Sequence, residues 1–197
     1  MEIGEPLKTL GEIDTHELLN AILKLPENLW IHTPQQLNEL TSTQSARAML
    51  MVFTEGTGWP NIEVRKEAGW DPLQATAVPV MHSLLARHYR AGGTIIRAMV
   101  LRLPAGQTMR SGKEQHPSFH HSHRVYIPLA SNSKVHNSLN DEPCEFKVGE
   151  AYEINHTSAC TVVNNGESPS IVFVFDYVPA DSATRQTSFT ATIAQQA

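Results

Sequence analysis

Four histidines crowd one short stretch, Gln115-His116-Pro117-Ser118-Phe119-His120-His121-Ser122-His123. Imidazole is both a metal ligand and a proton carrier at neutral pH. His120 and His121 are adjacent, so on a strand they face opposite ways, whereas His121 and His123 share a face. With Glu114 or Cys160 alongside, His121 and His123 make a His/Glu/Cys seat for a divalent ion. The competing reading packs His123 just before a strand and leaves the others in a loop. His136 and His156 stand alone, and each reads as a surface or satisfied histidine unless recruited.

Other side chains offer chemistry without metal. Cys160 has His156 four residues earlier, and a cysteine nucleophile needs such a base and a lowered thiol pKa. A small half-buried cysteine is the plainer reading of the same residue. Tyr126 is a candidate acid or base. Arg124 and Lys113 could receive an anionic ligand. Arg124 occupies an inward strand position, and a buried guanidinium requires a partner. That partner is either the ligand or an ion pair with Glu150, Glu153 or Asp176. Trp59 and Trp70 either close over a pocket or pack a helical layer.

The elements that position these groups follow from hydrophobic periodicity. Residues 1–13 read as a loose lead-in. Asp14 or Thr15 caps a helix whose Leu18, Leu19, Ile22, Leu23 and Leu25 share a face, and Pro26 ends it. The run Ala48-Met49-Leu50-Met51-Val52-Phe53 is a buried strand. Residues 54–72, with Gly56, Gly58, Pro60, Gly69 and Pro72, read as a long loop or lid. Residues 78–89 fit a helix stopped by Gly92-Gly93. Strands follow: residues 94–103, then the turn Leu103-Pro104-Ala105-Gly106, then 124–129 with Val125, Ile127 and Leu129 on one face. A weak strand over 144–148 precedes others at 151–155, 161–163 and 171–177. Asn164-Asn165-Gly166 is a hairpin signal between the last two. Helices first and short strands after predict an α+β fold, a double-sheet jelly roll with a helical flank.

The chain of 197 residues has room for one well-cored domain. We expect a single jelly-roll domain over residues 1–179 and a polar, flexible tail over 180–197. The net charge of −5, with scattered Lys and Arg, gives no footprint for nucleic acid. No apolar run reaches the ~20 residues that span a bilayer. Two cysteines without metal-type spacing and an acidic Met1-Glu2-Ile3-Gly4-Glu5 start fit a cytoplasmic setting.

Three segments carry a family likeness. They are Arg124-Val125-Tyr126-Ile127-Pro128-Leu129, then Gly149-Glu150-Ala151-Tyr152-Glu153-Ile154-Asn155 with Thr161-Val162-Val163-Asn164-Asn165-Gly166, and finally Ile171-Val172-Phe173-Val174-Phe175-Asp176-Tyr177-Val178-Pro179. Over residues 25–179 the chain resembles the aspartyl/asparaginyl and free proline β-hydroxylases, Fe(II)/2-oxoglutarate oxygenases with a double-stranded β-helix. The resemblance implies iron held by two histidines and a carboxylate, with an arginine on the cosubstrate. It places the His-x-Asp pair at Gly112 and Glu114, the second histidine at Cys160 and the cosubstrate arginine at Ser170. Of the family's Arg-x-His pair, Arg124 is kept and the histidine becomes Tyr126.

The resemblance therefore implies an atypical member without the usual iron ligands, with Fe(II) and 2-oxoglutarate implied by the family alone. Arg124, Lys113 and Ser170 are its candidate ligand-binding residues, and Tyr126 and Cys160 its candidate catalytic ones. Three outcomes stay open. One is a hydroxylase using a shifted site at Glu114, His121 and His123. Another is a non-catalytic binding or regulatory module, and the third is a metal-free enzyme on the same scaffold. The expected partner is a small amino-acid-like or anionic ligand in the jelly-roll mouth, and a homodimer is compatible with this.

Overall fold

The strand-rich second half of the chain builds most of two antiparallel sheets, and the first half supplies four further strands and a helical cover. The computed structural model describes residues 3–32, 46–111, 117–155 and 157–180. Within these, the strands are β1 Leu7–Glu12, β2 Ile31–His32, β3 Arg47–Gly58, β4 Asn61–Lys66, β5 Thr94–Leu103, β6 Thr108–Ser111, β7 His123–Ala130, β8 Val135–Leu139, β9 Glu142–Cys144, β10 Glu150–Ile154, β11 Cys160–Asn164 and β12 Ser170–Val178. The helices are α1 His16–Leu23 and α2 Trp70–His88.

One sheet has eight strands in the order β1-β10-β7-β12-β5-β3-β2, with β4 on β3; the other has four, β6-β11-β8-β9. From β5 onward the chain steps repeatedly from one sheet to the other. This is the expected α+β, cupin-like jelly roll with a helical flank.

The two faces of the large sheet explain its composition. β12 is buried along almost its whole length. Ile171, Phe173, Phe175 and Tyr177 point to an outer layer shared with Leu18 and Ile22 of α1 and Leu73, Met81 and Leu84 of α2. Val172 and Val174 point between the sheets, onto Met99, Leu101, Tyr126, Tyr152, Cys160 and Val162. A strand covered on both sides reads as a continuous apolar run rather than an alternating one. β7 alternates as expected, with Val125, Ile127 and Leu129 on the helical side.

Several expectations are corrected. The lead-in contains β1, paired along the β10 edge from Leu7 opposite Ile154 to Glu12 opposite Glu150. Its sequence, Leu-Lys-Thr-Leu-Gly-Glu, has too little alternation to announce a strand. The loop over residues 54–72 is instead the far half of β3, its hairpin partner β4 and the first turn of α2. The glycines that suggested a loop bend the hairpin: Gly56 has φ +127°, and a Cβ there would sit 2.3 Å from the Asn61 carbonyl oxygen. Gly58 has φ +119°. α2 starts earlier than its periodicity suggested because Pro72 falls in the first turn, where its missing N–H costs nothing. Pro79 lies on its exposed face, where water can meet the carbonyl it frees. The expected strand over 144–148 ends at Cys144, and Val148 is exposed. β6 and β8 carry no clear periodic signal and were not foreseen.

Asn164-Asn165-Gly166 is a turn but not a hairpin, since β11 and β12 belong to different sheets. Asn164 is fully buried at that crossing. Its amide donates to the Leu103 carbonyl at 3.2 Å and to that of Ser168 at 2.9 Å, while its oxygen accepts from Asn132 at 3.1 Å and from the Gly166 N–H at 3.0 Å. One side chain thus ties the ends of three crossing connections. Asn164→Ala leaves these buried groups unpaired, and a loss of about 2–3 kcal/mol is expected in urea unfolding with an unchanged denaturant slope. A variant within about 0.5 kcal/mol of the parent would show that the crossing does not depend on this amide.

Candidate functional site

A row of three charged side chains crosses the middle of the large sheet. Asp176 on β12 stands opposite Arg97 on β5 and opposite Arg124 on β7. Two positions along, the same face carries Met99, Val174 and Tyr126, so the charged row continues the floor of the jelly-roll interior. Arg124 holds the Asp176 carboxylate with two nitrogens, Nε at 2.8 Å and Nη2 at 2.9 Å. Arg97 donates to the same carboxylate at 3.5 Å. The Asp176 side chain is 0% exposed, that of Arg97 3% and that of Arg124 13%.

Phe119, from a short helical turn at Pro117–His120, is fully buried against both guanidiniums. Its ring centre lies 4.5 Å from the Arg97 guanidinium carbon and 4.8 Å from that of Arg124. Cation–π contact compensates part of the lost hydration of two buried cations. Burial alone pushes the Asp176 carboxyl up; Arg124 and then Arg97 more than offset this and hold it below the usual carboxylate range.

Arg124 is therefore engaged in one of the ion pairs the sequence allowed, with Asp176 rather than Glu150 or Glu153. The structure brings Tyr126 and Cys160 into the same interior. Tyr126 is buried with its ring centre 4.9 Å from that of Phe146, which in turn stacks edge-on to Tyr152 at 5.1 Å. Burial pushes its hydroxyl well above the ordinary phenol range, with Cys160 and Cys144 adding to the effect. Cys160 opens β11, opposite Ser111 on β6 and Leu139 on β8. Burial pushes its thiol up to about 12, Cys144 adds to that, and Arg124 pulls only weakly the other way. Both groups are neutral at physiological pH, the opposite of what a cysteine nucleophile needs.

Ser170 is not part of this group. It begins β12 opposite Leu103, and its hydroxyl reaches the Ala130 carbonyl at 3.5 Å. Six strand positions separate it from Asp176, roughly 20 Å. His123 faces the other side of the sheet. Its Nδ1 bonds to Glu153, whose second oxygen accepts the Tyr89 hydroxyl at 3.0 Å. The His123 and Tyr89 rings lie 4.8 Å apart, at the C-terminal end of α2. Burial pushes the Glu153 carboxyl up, but His123, then Tyr89 and Lys8, bring it below its ordinary value. His123 therefore does not share a seat with Cys160, because β7 turns His123 into the helical layer while β11 turns Cys160 into the space between the sheets. His121 lies in the turn before β7, with its N–H on the Ser118 carbonyl at 3.1 Å. His136 is exposed on β8.

Gly112, Lys113, Glu114, His116 and His156 lie outside the described residues, as does the tail beyond residue 180. Of the two tryptophans, Trp70 is buried in the helical layer, with the Lys66 ammonium 4.7 Å from its ring. Trp59 is half-buried, its N–H on the Ser118 hydroxyl at 3.1 Å.

The family resemblance implies a ferrous ion and 2-oxoglutarate, and the described donors are compared with them. Iron of this type wants imidazole and carboxylate. At the matching positions the described interior offers a protonated thiol, a protonated phenol and a serine at the far end of a strand. Among the described residues no three His, Cys, Asp or Glu side chains come together as a metal site. These described donors do not by themselves make a ferrous centre; the assigned positions Gly112 and Glu114 lie outside the described residues.

Sequence reasoning did not single out Arg97 and Phe119 and offered Asp176 only as one of three partners for Arg124. The signal was present in Ile171-Val172-Phe173-Val174-Phe175-Asp176-Tyr177-Val178. A carboxylate inside a strand buried on both faces requires cations on its neighbours.

No family model matches the chain, and no curated protein does. Solved structures do. An oxidoreductase of the 2OG-Fe(II) oxygenase family from Burkholderia pseudomallei superposes with a TM-score of 0.59 at 12% identity, covering 93% of this chain and 89% of that one. A prolyl hydroxylase from Trichoplax adhaerens, in complex with a hypoxia inducible factor oxygen degradation domain peptide fragment, gives 0.53 at 11%, covering 92% and 88%. The non-heme monooxygenase ThoJ, as a nickel complex, gives 0.51 at 10%, covering 89% and 74%. At these identities the likeness is one of fold: this is the jelly roll on which 2OG-Fe(II) oxygenases are built.

Two outcomes follow from the charged row and the thiol. The folded Asp176 carboxyl titrates below its unfolded counterpart, so its contribution to stability is present above about pH 4 and is lost as pH falls through the lowered folded value. Asp176→Asn removes the counter-charge of two buried guanidiniums, and a loss of about 3–5 kcal/mol at pH 7 is expected, with a flatter acid limb than the parent. Equal stability of variant and parent in urea at pH 7 would contradict this account. In iodoacetamide labelling followed by mass spectrometry, Cys144, the more exposed thiol, should modify before Cys160. Fast labelling of Cys160 in the folded protein would show that its thiol is not held protonated.

Proposed function

We propose that this protein is an atypical aspartyl/asparaginyl β-hydroxylase-like member of the 2OG-Fe(II) oxygenase superfamily. In this reading its jelly roll receives a small amino-acid-like or anionic ligand and does not run ordinary iron-dependent hydroxylation. The shared fold supports the superfamily. The finer family rests on the sequence segments that run through β7, β10, β11 and β12.

One observation carries the loss of iron chemistry. The interior positions that should present imidazoles hold Tyr126 and Cys160, both buried and protonated, with apolar neighbours packed around them. Bringing iron there would require deprotonating a thiol in an environment that resists charge. The ligand reading rests on the family resemblance and on the charge of the row beside the interior, where two guanidiniums, Arg97 and Arg124, face one carboxylate, Asp176. The positive balance of that row favours a carboxylate-bearing ligand.

The test is anaerobic loading with Fe(II), with and without 2-oxoglutarate, read by metal analysis, thermal melting and succinate formation. The expected result is no stoichiometric iron, no melting shift from iron with 2-oxoglutarate, and no succinate. A ligand at 100 times its Kd adds about 2.7 kcal/mol, so binding would be visible in the melt. A metal-independent shift with free amino acids or dicarboxylates supports the ligand assignment. One equivalent of bound iron with 2-oxoglutarate consumption would overturn the proposal.

A further inference from the structure

A cleft of about 550 Å³ opens on the four-stranded sheet, away from the charged row. β11 alternates: Cys160 and Val162 are buried in the interior, so Thr161 and Val163 face outward, and both line the cleft. Across the ladder, Thr161 stands opposite Ser138 and Val163 opposite His136, which also line it. The β7–β8 connection adds Ser133 and the chain after β9 adds Glu145 as walls.

The chemistry of this lining is selective. The hydroxyls of Ser133, Ser138 and Thr161 and the His136 ring have no hydrogen-bond partner among the described residues. Among the described residues no lysine or arginine lines the cleft, and Arg110, opposite Thr161 on β6, stands outside its lining. That composition disfavours phosphate or carboxylate ligands, which call for a fixed cation. Directly opposed residues on antiparallel strands place their Cβ atoms about 5 Å apart. The Thr161 and Ser138 hydroxyls can therefore be bridged by two hydroxyls of one ring, with Val163 offering an apolar surface beside them. The volume lies within the range of small-molecule sites, roughly 300–1,000 Å³.

We propose that this cleft is a second binding site, for a small neutral polyhydroxylated ligand of the sugar class, held chiefly by Thr161, Ser138 and His136. It is separate from the interior proposed for an anionic ligand, and the two stand or fall independently.

The test is an amide-detected NMR titration with glucose, galactose and mannose as probes and inorganic phosphate as the charged control. Resonances of β8, β11 and Ser133 are expected to move with at least one hexose and not with phosphate. In Ser138→Ala/Thr161→Val, which removes two hydroxyls with little change in shape, binding should weaken roughly tenfold or more at an unchanged melting temperature. Should the double variant not fold, each single variant carries the comparison. The proposal is overturned if no hexose moves these resonances, if phosphate moves them instead, or if the folded variants bind like the parent.

Discussion

A carboxylate buried in the central strand of the large sheet is the constraint to which the rest of this protein is fitted. Taking Asp176 out of water costs several kcal/mol, and only closely placed cations offset that. Arg124 supplies two hydrogen bonds from one neighbouring strand and Arg97 a longer one from the other. Because both partners stand directly opposite Asp176, the arrangement holds only in the observed register of β5, β12 and β7. A slip of one residue would turn the carboxylate into the helical layer and the phenylalanines into the interior. The ion row thus specifies register more than it adds net stability.

Register in turn separates two chemistries that the sequence lists side by side. On β7, Arg124 and Tyr126 enter the jelly roll, while His123 and Val125 enter the layer under α2. The histidine that looked like a metal ligand is taken up by Glu153 and Tyr89, a polar knot that fastens the end of α2 to the sheet. Among the described residues the interior carries the Tyr126 phenol, the Cys160 thiol and the guanidiniums beside apolar neighbours. Low polarity keeps the first two protonated, and Phe119 and Asp176 keep the guanidiniums in place.

The fold and the site therefore carry different messages. The path of the chain, crossing between sheets from β5 to β12, is that of solved 2OG-Fe(II) oxygenases. Such a framework depends on buried apolar faces and on turns such as the one Asn164 fastens, and these tolerate a change of side chains in the interior. Catalysis depends on a few donors at defined points, and fold alone does not supply them.

Much of the architecture was legible in the residues themselves. The apolar run of β12, the alternation in β7 and the spacing of Leu18 and Ile22 on α1 are local patterns, and local patterns fix local structure. The presence of a thiol at Cys160, a phenol at Tyr126 and a hydroxyl at Ser170 was also legible, because these are statements about residue type. What the sequence could not decide was any matter of which face meets which. β1 had no pattern of its own and became a strand because β10 had an open edge. The glycines of β3 signalled a loop and instead shape a hairpin, because backbone freedom serves either. Arg124 had three carboxylates to choose from, and His123 two sides of a sheet. Those choices were made by pairing across strands distant in sequence, where burial makes an unpaired charge costly and leaves one arrangement that satisfies Asp176, Arg97, Arg124 and Glu153 together.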